Sequence, residues 1–225
     1  IIDNSKSLQS LISALINKNS SICVKTESTN TVAHQATVIG ISLTISHSEA
    51  FYIPLNGDLP PDEIKKQLSP FFANPDLSFF GHDIKSDLHA LKKLNLQIAN
   101  ISFDTMLASY LIHSNKNRHA LSELALEHFS IETTPLSNLL GKGKKSITLD
   151  KIAIEKISNY SAENLLVIAR LKSLLEKELT QNNLDDLFYK LELPLIPVLF
   201  DMENAGVFLD KSKLFNQNEI VSKKL

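Results

Sequence analysis

Apolar residues at Leu8, Leu11, Ile12, Leu15 and Ile16 recur at helical spacing and predict an amphipathic helix over residues 6–18, closed by the polar run Asn17-Lys18-Asn19-Ser20. Ser21 to Glu27 is short and rich in β-forming residues and predicts a strand. Val38 to Ile45 and Ala50 to Pro54 predict two more, joined through Ser46-His47-Ser48-Glu49 as an antiparallel hairpin. Pro60-Pro61 opens a helix to about Phe72, because proline is preorganised for a first helical turn. Leu77 to Gly81 predicts a short strand, and Asp83 ahead of Ile84, Leu88, Leu91 and Leu94 predicts an N-cap with its core stripe. A weaker strand over 98–101 precedes helical patterns over about 104–113, 119–128, 150–178 and 184–203, with a loop around Gly141-Lys142-Gly143. Five strands interleaved with helices predict an α/β fold with a mixed sheet flanked by helices.

Composition removes several classes. With 225 residues, 43% hydrophobic, 21% charged and six glycines, the chain is an ordinary globular one, neither collagen-like nor low-complexity nor disordered. Its 23 basic and 25 acidic residues leave a net charge of −2, so any contact with nucleic acid must come from a local patch. The one cysteine, Cys23, lies in an apolar run. A buried inert thiol and a reducing, cytoplasmic setting are expected, and a disulfide within the chain is excluded. No apolar run approaches 18 residues, so no membrane partner is expected. The opening Ile1-Ile2-Asp3, without an initiator methionine, predicts a piece of a longer protein.

Familiar catalytic motifs are missing. The seven histidines, His34, His47, His82, His89, His113, His119 and His128, never fall in a His-Glu-x-x-His or Cys/His ligand pattern, and no zinc site is expected. Gly141-Lys142-Gly143-Lys144-Lys145 fails as a phosphate loop: Asn138 stands where the first glycine belongs, and Lys145 where Ser or Thr belongs. A polar constellation remains. Lys25 and Glu27 alternate onto one face at the end of the first strand. Tyr160 and Asn164 share a helix face, and Asp87 lies one turn inside the helix begun by Asp83. On residue types alone, a strand end carrying Lys and Glu is commonplace.

Three stretches give this constellation a context: Phe103-Asp104-Thr105-Met106-Leu107-Ala108-Ser109-Tyr110, Gly141-Lys142-Gly143-Lys144, and Leu193-Pro194-Leu195-Ile196-Pro197-Val198-Leu199 continuing through Glu203-Asn204-Ala205-Gly206-Val207 to Asp210. In them the chain resembles the 3′-5′ proofreading exonuclease domain of bacterial DNA polymerase I, a family A polymerase, over nearly its whole length. The resemblance implies a ribonuclease H-like fold, followed by the start of a helical polymerase segment. It divides the chain into an exonuclease-like domain at 1–185 and a junction with the first polymerase helices at 186–225.

The resemblance also implies a site. In the family, an Asp-x-Glu pair on the first strand, an Asp on a middle helix and a Tyr-x-x-x-Asp on a late helix hold two divalent metals. Such a pair activates water and stabilises in-line displacement at phosphorus. Matched residue by residue, Glu27, Asp87 and Tyr160 keep their places, whereas Lys25 and Asn164 replace two carboxylates. An ammonium then stands where a cation is expected. Glu163 is the nearest substitute acid, but it is rotated about 100° from Asn164 on a helix. The expectation is therefore an exonuclease-like domain that is inactive and structural, with Glu27 and Asp87 an incomplete, empty metal site and no cofactor. Lys25 is expected to reach within roughly 4 Å of Glu27 or Asp87 in the metal's place. Lys142, Lys144 and Lys145 are candidate DNA contacts, with a solvated loop as the other reading. Expected partners are DNA through a parent polymerase and the adjoining polymerase and upstream nuclease domains of the same chain, the fragment itself being monomeric. Two alternatives remain: a residual exonuclease using Mg²⁺ or Mn²⁺ on single-stranded 3′ ends, and a nuclease-dead nucleic-acid-binding module.

Overall fold

The computed structural model describes residues 1–18, 21–29, 36–141 and 147–223. Helix α1 (Ser5–Asn17) starts where the Asn4 side chain accepts a hydrogen bond from the Ser7 N–H at 2.9 Å, and it buries Leu8, Leu11 and Leu15. Strands β1 (Ile22–Ser28), β2 (Val38–Thr44), β3 (Phe51–Pro54), β4 (Phe79–Gly81) and β5 (Ile101–Asp104) form one sheet in the order β3-β2-β1-β4-β5. The β1-β2 and β2-β3 pairs are antiparallel, as the hairpin pattern predicts, while β1-β4 and β4-β5 are parallel. The expected mixed five-stranded sheet is the observed one.

Strand β1 is central, and its apolar run Ile22-Cys23-Val24 is fully buried because helices cover both faces of the mixed sheet. Burial pushes the Cys23 thiol well above the usual thiol range, so it stays protonated. Close packing of β4 on β1 needs a residue without a side chain: a Cβ on Gly81 would lie 3.1 Å from the Val24 carbonyl oxygen.

The remaining helices are α2 (Pro61–Phe72), α3 (Ile84–Lys93), α4 (Thr105–Ile112), α5 (Leu121–Phe129), α6 (Leu136–Leu140), α7 (Ile154–Gln181), α8 (Asp185–Leu187), α9 (Leu193–Ala205) and α10 (Lys211–Ser222). Helix α7 buries Ile157, Ser161, Leu165, Ile168, Leu171, Leu175 and Leu179 at three- and four-residue spacing and packs across β1, β2 and β3. The pattern over 184–203 becomes α8, a π-helical turn at Phe188–Glu192, and α9. Phe188 is fully buried against Phe103, with ring centroids 4.8 Å apart. Helix α9 packs on α3 and β5 through Leu193 and Ile196, whereas α10 buries nothing. No described helix is long and apolar enough to cross a membrane.

Two differences from the sequence pattern have physical reasons. Strand β5 begins at Ile101, where the apolar pattern places its end, because Leu96 and Ile98 are buried in the preceding loop without pairing. Asp83 occupies the cap position of α3 but does not cap it. Its backbone is left-handed (φ 56°), and its carboxylate accepts from the Ser86 hydroxyl at 2.6 Å. The Ile84 N–H is instead answered by Asp104 Oδ2 at 2.6 Å, and Asp104 Oδ1 also accepts from the Leu107 N–H at 2.9 Å. One buried carboxylate thus caps α3 and α4 together. Its desolvation pushes the Asp104 pKa up to about 6 despite these hydrogen bonds.

Candidate functional site

Because β1, β4 and β5 run parallel, their carboxyl ends meet at one edge of the sheet, where open α/β sheets form clefts. A cleft of about 650 Å³ lies there, lined by Lys25 and Glu27 from β1, His82 and Asp83 after β4, Asp87 from α3, and Tyr160 from α7. Four of the five positions matched to the family site, Lys25, Glu27, Asp87 and Tyr160, therefore share one cavity. The fifth, Asn164, is buried on α7 one turn from Tyr160.

The two acids are held by different partners. Glu27 Oε1 accepts from the Ser161 hydroxyl of α7 at 2.8 Å, and Ser161 Oγ lies 2.7 Å from Ser42 Oγ on β2. Asp87 Oδ1 accepts from both the Thr26 N–H and the Thr26 hydroxyl, each at 2.7 Å. Side chains alternate along β1, so Thr26 leaves the face opposite to Glu27. Burial pushes Asp87 up to about 7, against the Lys25 charge and the Thr26 hydrogen bonds that favour ionisation.

Lys25 is half-buried, and among the described residues no carboxylate lies within ion-pair distance of it. The expected close contact with Glu27 or Asp87 is not formed. Lys25 acts at longer range: burial disfavours its charge, but Glu27, Asp87, Tyr160 and Asp83 outweigh that and hold its pKa above the ordinary lysine value. The Tyr160 phenol is also raised, by burial first and the Glu27 charge second, with Lys25 and the Asn164 amide opposing. It stays protonated at neutral pH. Burial and the Lys25 charge lower the His82 pKa to about 3, which keeps that ring neutral with Nδ1 2.9 Å from the Thr105 hydroxyl.

Glu163 is turned away from the cleft. Its carboxylate accepts from the Thr134 N–H at 3.1 Å and lines a neighbouring cavity of about 540 Å³ that shares only Tyr160 with the cleft. Lys142, Lys144 and Lys145 lie outside the described residues. Sequence reasoning missed Asp83 as a third acid of the cleft, because its position ahead of an apolar stripe reads as a cap. It also missed Ser161, whose only signal was its place next to Tyr160.

These donors do not fit two divalent cations. The cleft offers Glu27, Asp87 and Asp83, hydrogen-bonded to Ser161, Thr26 and Ser86 respectively, beside the Lys25 ammonium, with the Asn164 amide one turn along α7 from Tyr160. Among the described residues, none of these acids belongs to a trio of His, Cys, Asp or Glu whose ligand atoms converge within 4.8 Å.

The sheet order β3-β2-β1-β4-β5, with helices on its faces and a polar cleft at the carboxyl edge, defines a ribonuclease H-like fold. Two solved structures share the fold. The polymerase domain of Pol1 from M. smegmatis, in complex with DNA primer-template and dNTP, is 20% identical, with a TM-score of 0.78 over 99% of this chain and 34% of that one. NrnC from Brucella melitensis with bound Mg²⁺ is 17% identical, with a TM-score of 0.64 over 83% of this chain and 86% of that one. The 3′-5′ exonuclease family of family A DNA polymerases matches residues 1–180, and the chain belongs to it. DNA polymerase I of Chloroflexus aurantiacus is 32% identical over 221 residues, 95% of this chain; the chain spans 23% of that relative's length.

Proposed function

We propose that this chain is the exonuclease-like part of a DNA polymerase I-type protein in which two-metal hydrolysis has been lost and the domain serves as a structural platform. The observation that carries the reading is the donor set of the cleft, where Lys25 and Asn164 take the places of two carboxylates around Glu27 and Asp87. An ammonium at this point repels a divalent cation, and one oxygen of each of Glu27 and Asp87 already accepts a protein hydrogen bond. Glu27, Asp87 and Tyr160 are then remnants of the family site, with no resident metal and no cofactor.

The platform role draws on packing. Glu203 of α9 bonds Lys85 and His89 of α3 at 2.5 and 2.7 Å, so the segment after residue 185 is fastened to the helix that carries Asp87. Beyond it Val207 and Phe208 are 93% and 94% exposed, as residues that meet an adjoining domain would be. The family match ending at residue 180 supports a division into an exonuclease-like domain at 1–185 and a polymerase junction at 186–225, whose first helices pack back on that domain. In this reading, the partners are an adjoining polymerase domain, an upstream nuclease domain and, through the whole protein, DNA. Lys142, Lys144 and Lys145 are candidate contacts with that DNA, and the fragment alone is a cytoplasmic monomer.

The test is degradation of a 3′-labelled single strand with Mg²⁺ or Mn²⁺, beside a variant carrying Lys25→Asp and Asn164→Asp. No shortening above a metal-free control is expected of the natural chain. Metal-dependent shortening by it would overturn the reading in favour of a residual exonuclease.

A further inference from the structure

Outside the cleft, one group of side chains has the chemistry of a metal site. His113 ends α4 as its C-cap residue, and Glu127 and His128 lie in the last turn of α5. The 113–120 connection returns α5 so that its far end meets the end of α4. The His113 and His128 rings stack with centroids 6.5 Å apart and an interplanar angle of 27°. One ligand atom from each of His113, Glu127 and His128 lies within 4.8 Å of the other two.

The state of these groups points to a missing partner. His128 Nε2 is buried and has no hydrogen-bond partner. A buried polar atom left unanswered costs about 1–3 kcal/mol. Glu127 is not unanswered: Lys116 Nζ lies 2.5 Å from Oε1 and 2.6 Å from Oε2, so a monovalent cation already sits on the carboxylate. Glu127 is exposed and His113 half-buried, so both have room to turn. Zn–N and Zn–O bonds of about 2.0–2.2 Å in a tetrahedral arrangement set ligand atoms about 3.3–3.6 Å apart, so these side chains must close by up to about 1.5 Å, which rotation of Glu127 and His113 can supply.

We propose that His113, Glu127 and His128 bind one divalent transition metal, with Zn²⁺ the best match, at the corner between α4 and α5. Two imidazoles and a carboxylate suit Zn²⁺, which takes four ligands and would leave one position for water, whereas Mg²⁺ prefers oxygen ligands throughout. The metal gives the buried His128 nitrogen a partner, displaces Lys116 from Glu127 and ties the 113–120 connection to the end of α5. The site is separate from the cleft and does not depend on how the cleft is read.

The experiment is titration of the folded chain with Zn²⁺ alone against a chromophoric chelator, repeated with Co²⁺, whose visible absorption reports nitrogen and oxygen ligation directly. One equivalent is expected to bind. Affinity should fall at least about 10-fold in His113→Ala and in His128→Ala, each checked for folding by circular dichroism. It should be unchanged in the cleft variant Glu27→Gln/Asp87→Asn. Lys116→Ala should tighten binding a few-fold by removing the competing cation. Absence of binding, binding indifferent to His113 and His128, or binding lost in the cleft variant would each overturn the proposal.

Discussion

The Asp104 node and the cleft lie side by side at the carboxyl edge of the sheet, and both are built on buried carboxylates. At Asp104, each oxygen accepts a backbone N–H from the start of a helix, so the group does its work with protein partners alone. In the cleft, Glu27 and Asp87 each hold partners too, but the positions matched to the family's other two carboxylates carry the Lys25 ammonium and the Asn164 amide, with Asp83 bonded to Ser86. The difference separates scaffold from chemistry. The carboxylate that fixes the helices around the cleft needs no metal, so the fold survives whatever happens to the donors a few ångströms away.

The comparison is broken most forcefully at the scaffold. Asp104→Ala strands buried N–H groups at the starts of α3 and α4 and should cost about 2–4 kcal/mol, read as a lower urea midpoint with an unchanged slope. Asp104→Asn keeps one acceptor oxygen and should recover part of that. A loss below about 0.5 kcal/mol would mean that Asp104 is not a structural node.

Asp87 sharpens the contrast through pH. Its folded pKa, about 7, lies above the ordinary aspartate value, so between about pH 4 and 7 the native state holds a proton that the unfolded chain has released. Stability therefore falls as pH rises through that window and is flat above it. Asp87→Asn retains the acceptor for Thr26 and should remove this slope. A slope of the opposite sign would mark Asp87 as a paired carboxylate with a depressed pKa.

A smaller effect is expected at Lys25. Its raised pKa means that its contribution is complete below the ordinary lysine value and is lost only as pH rises through the folded one. Lys25→Met should cost about 1 kcal/mol at pH 7 and move the Asp87 window to higher pH. No change in either would make Lys25 an ordinary solvated strand end. The smallest shift is expected from Mg²⁺: at millimolar concentration it should leave Tm unchanged, since a ligand stabilises only a state it binds. A saturable rise lost in Glu27→Ala would contradict the cleft's lack of fit.

Much of the scaffold was legible because its signals are local. The Ile22-Cys23-Val24 run marks a central strand, and the 46–49 turn marks a hairpin. Tyr160 and Asn164 could be placed on one helix face from spacing alone, but joining them to Lys25, Glu27 and Asp87 rested on the family resemblance. What escaped depends on long-range partners. The cap of α3 comes from Asp104, the last residue of β5, rather than from Asp83. Glu163 turns to Thr134, a contact no helical wheel contains. His113 and His128 fit no local ligand pattern and meet only because the chain doubles back between α4 and α5.

The central claim concerns cations in the cleft, and crystals soaked in Mn²⁺ address it most directly through the anomalous signal of the metal. The account predicts no anomalous peak between Glu27 and Asp87, with Lys25 remaining in the cleft. Two peaks about 3.5–4 Å apart, bridged by those acids with Lys25 swung away, would contradict it.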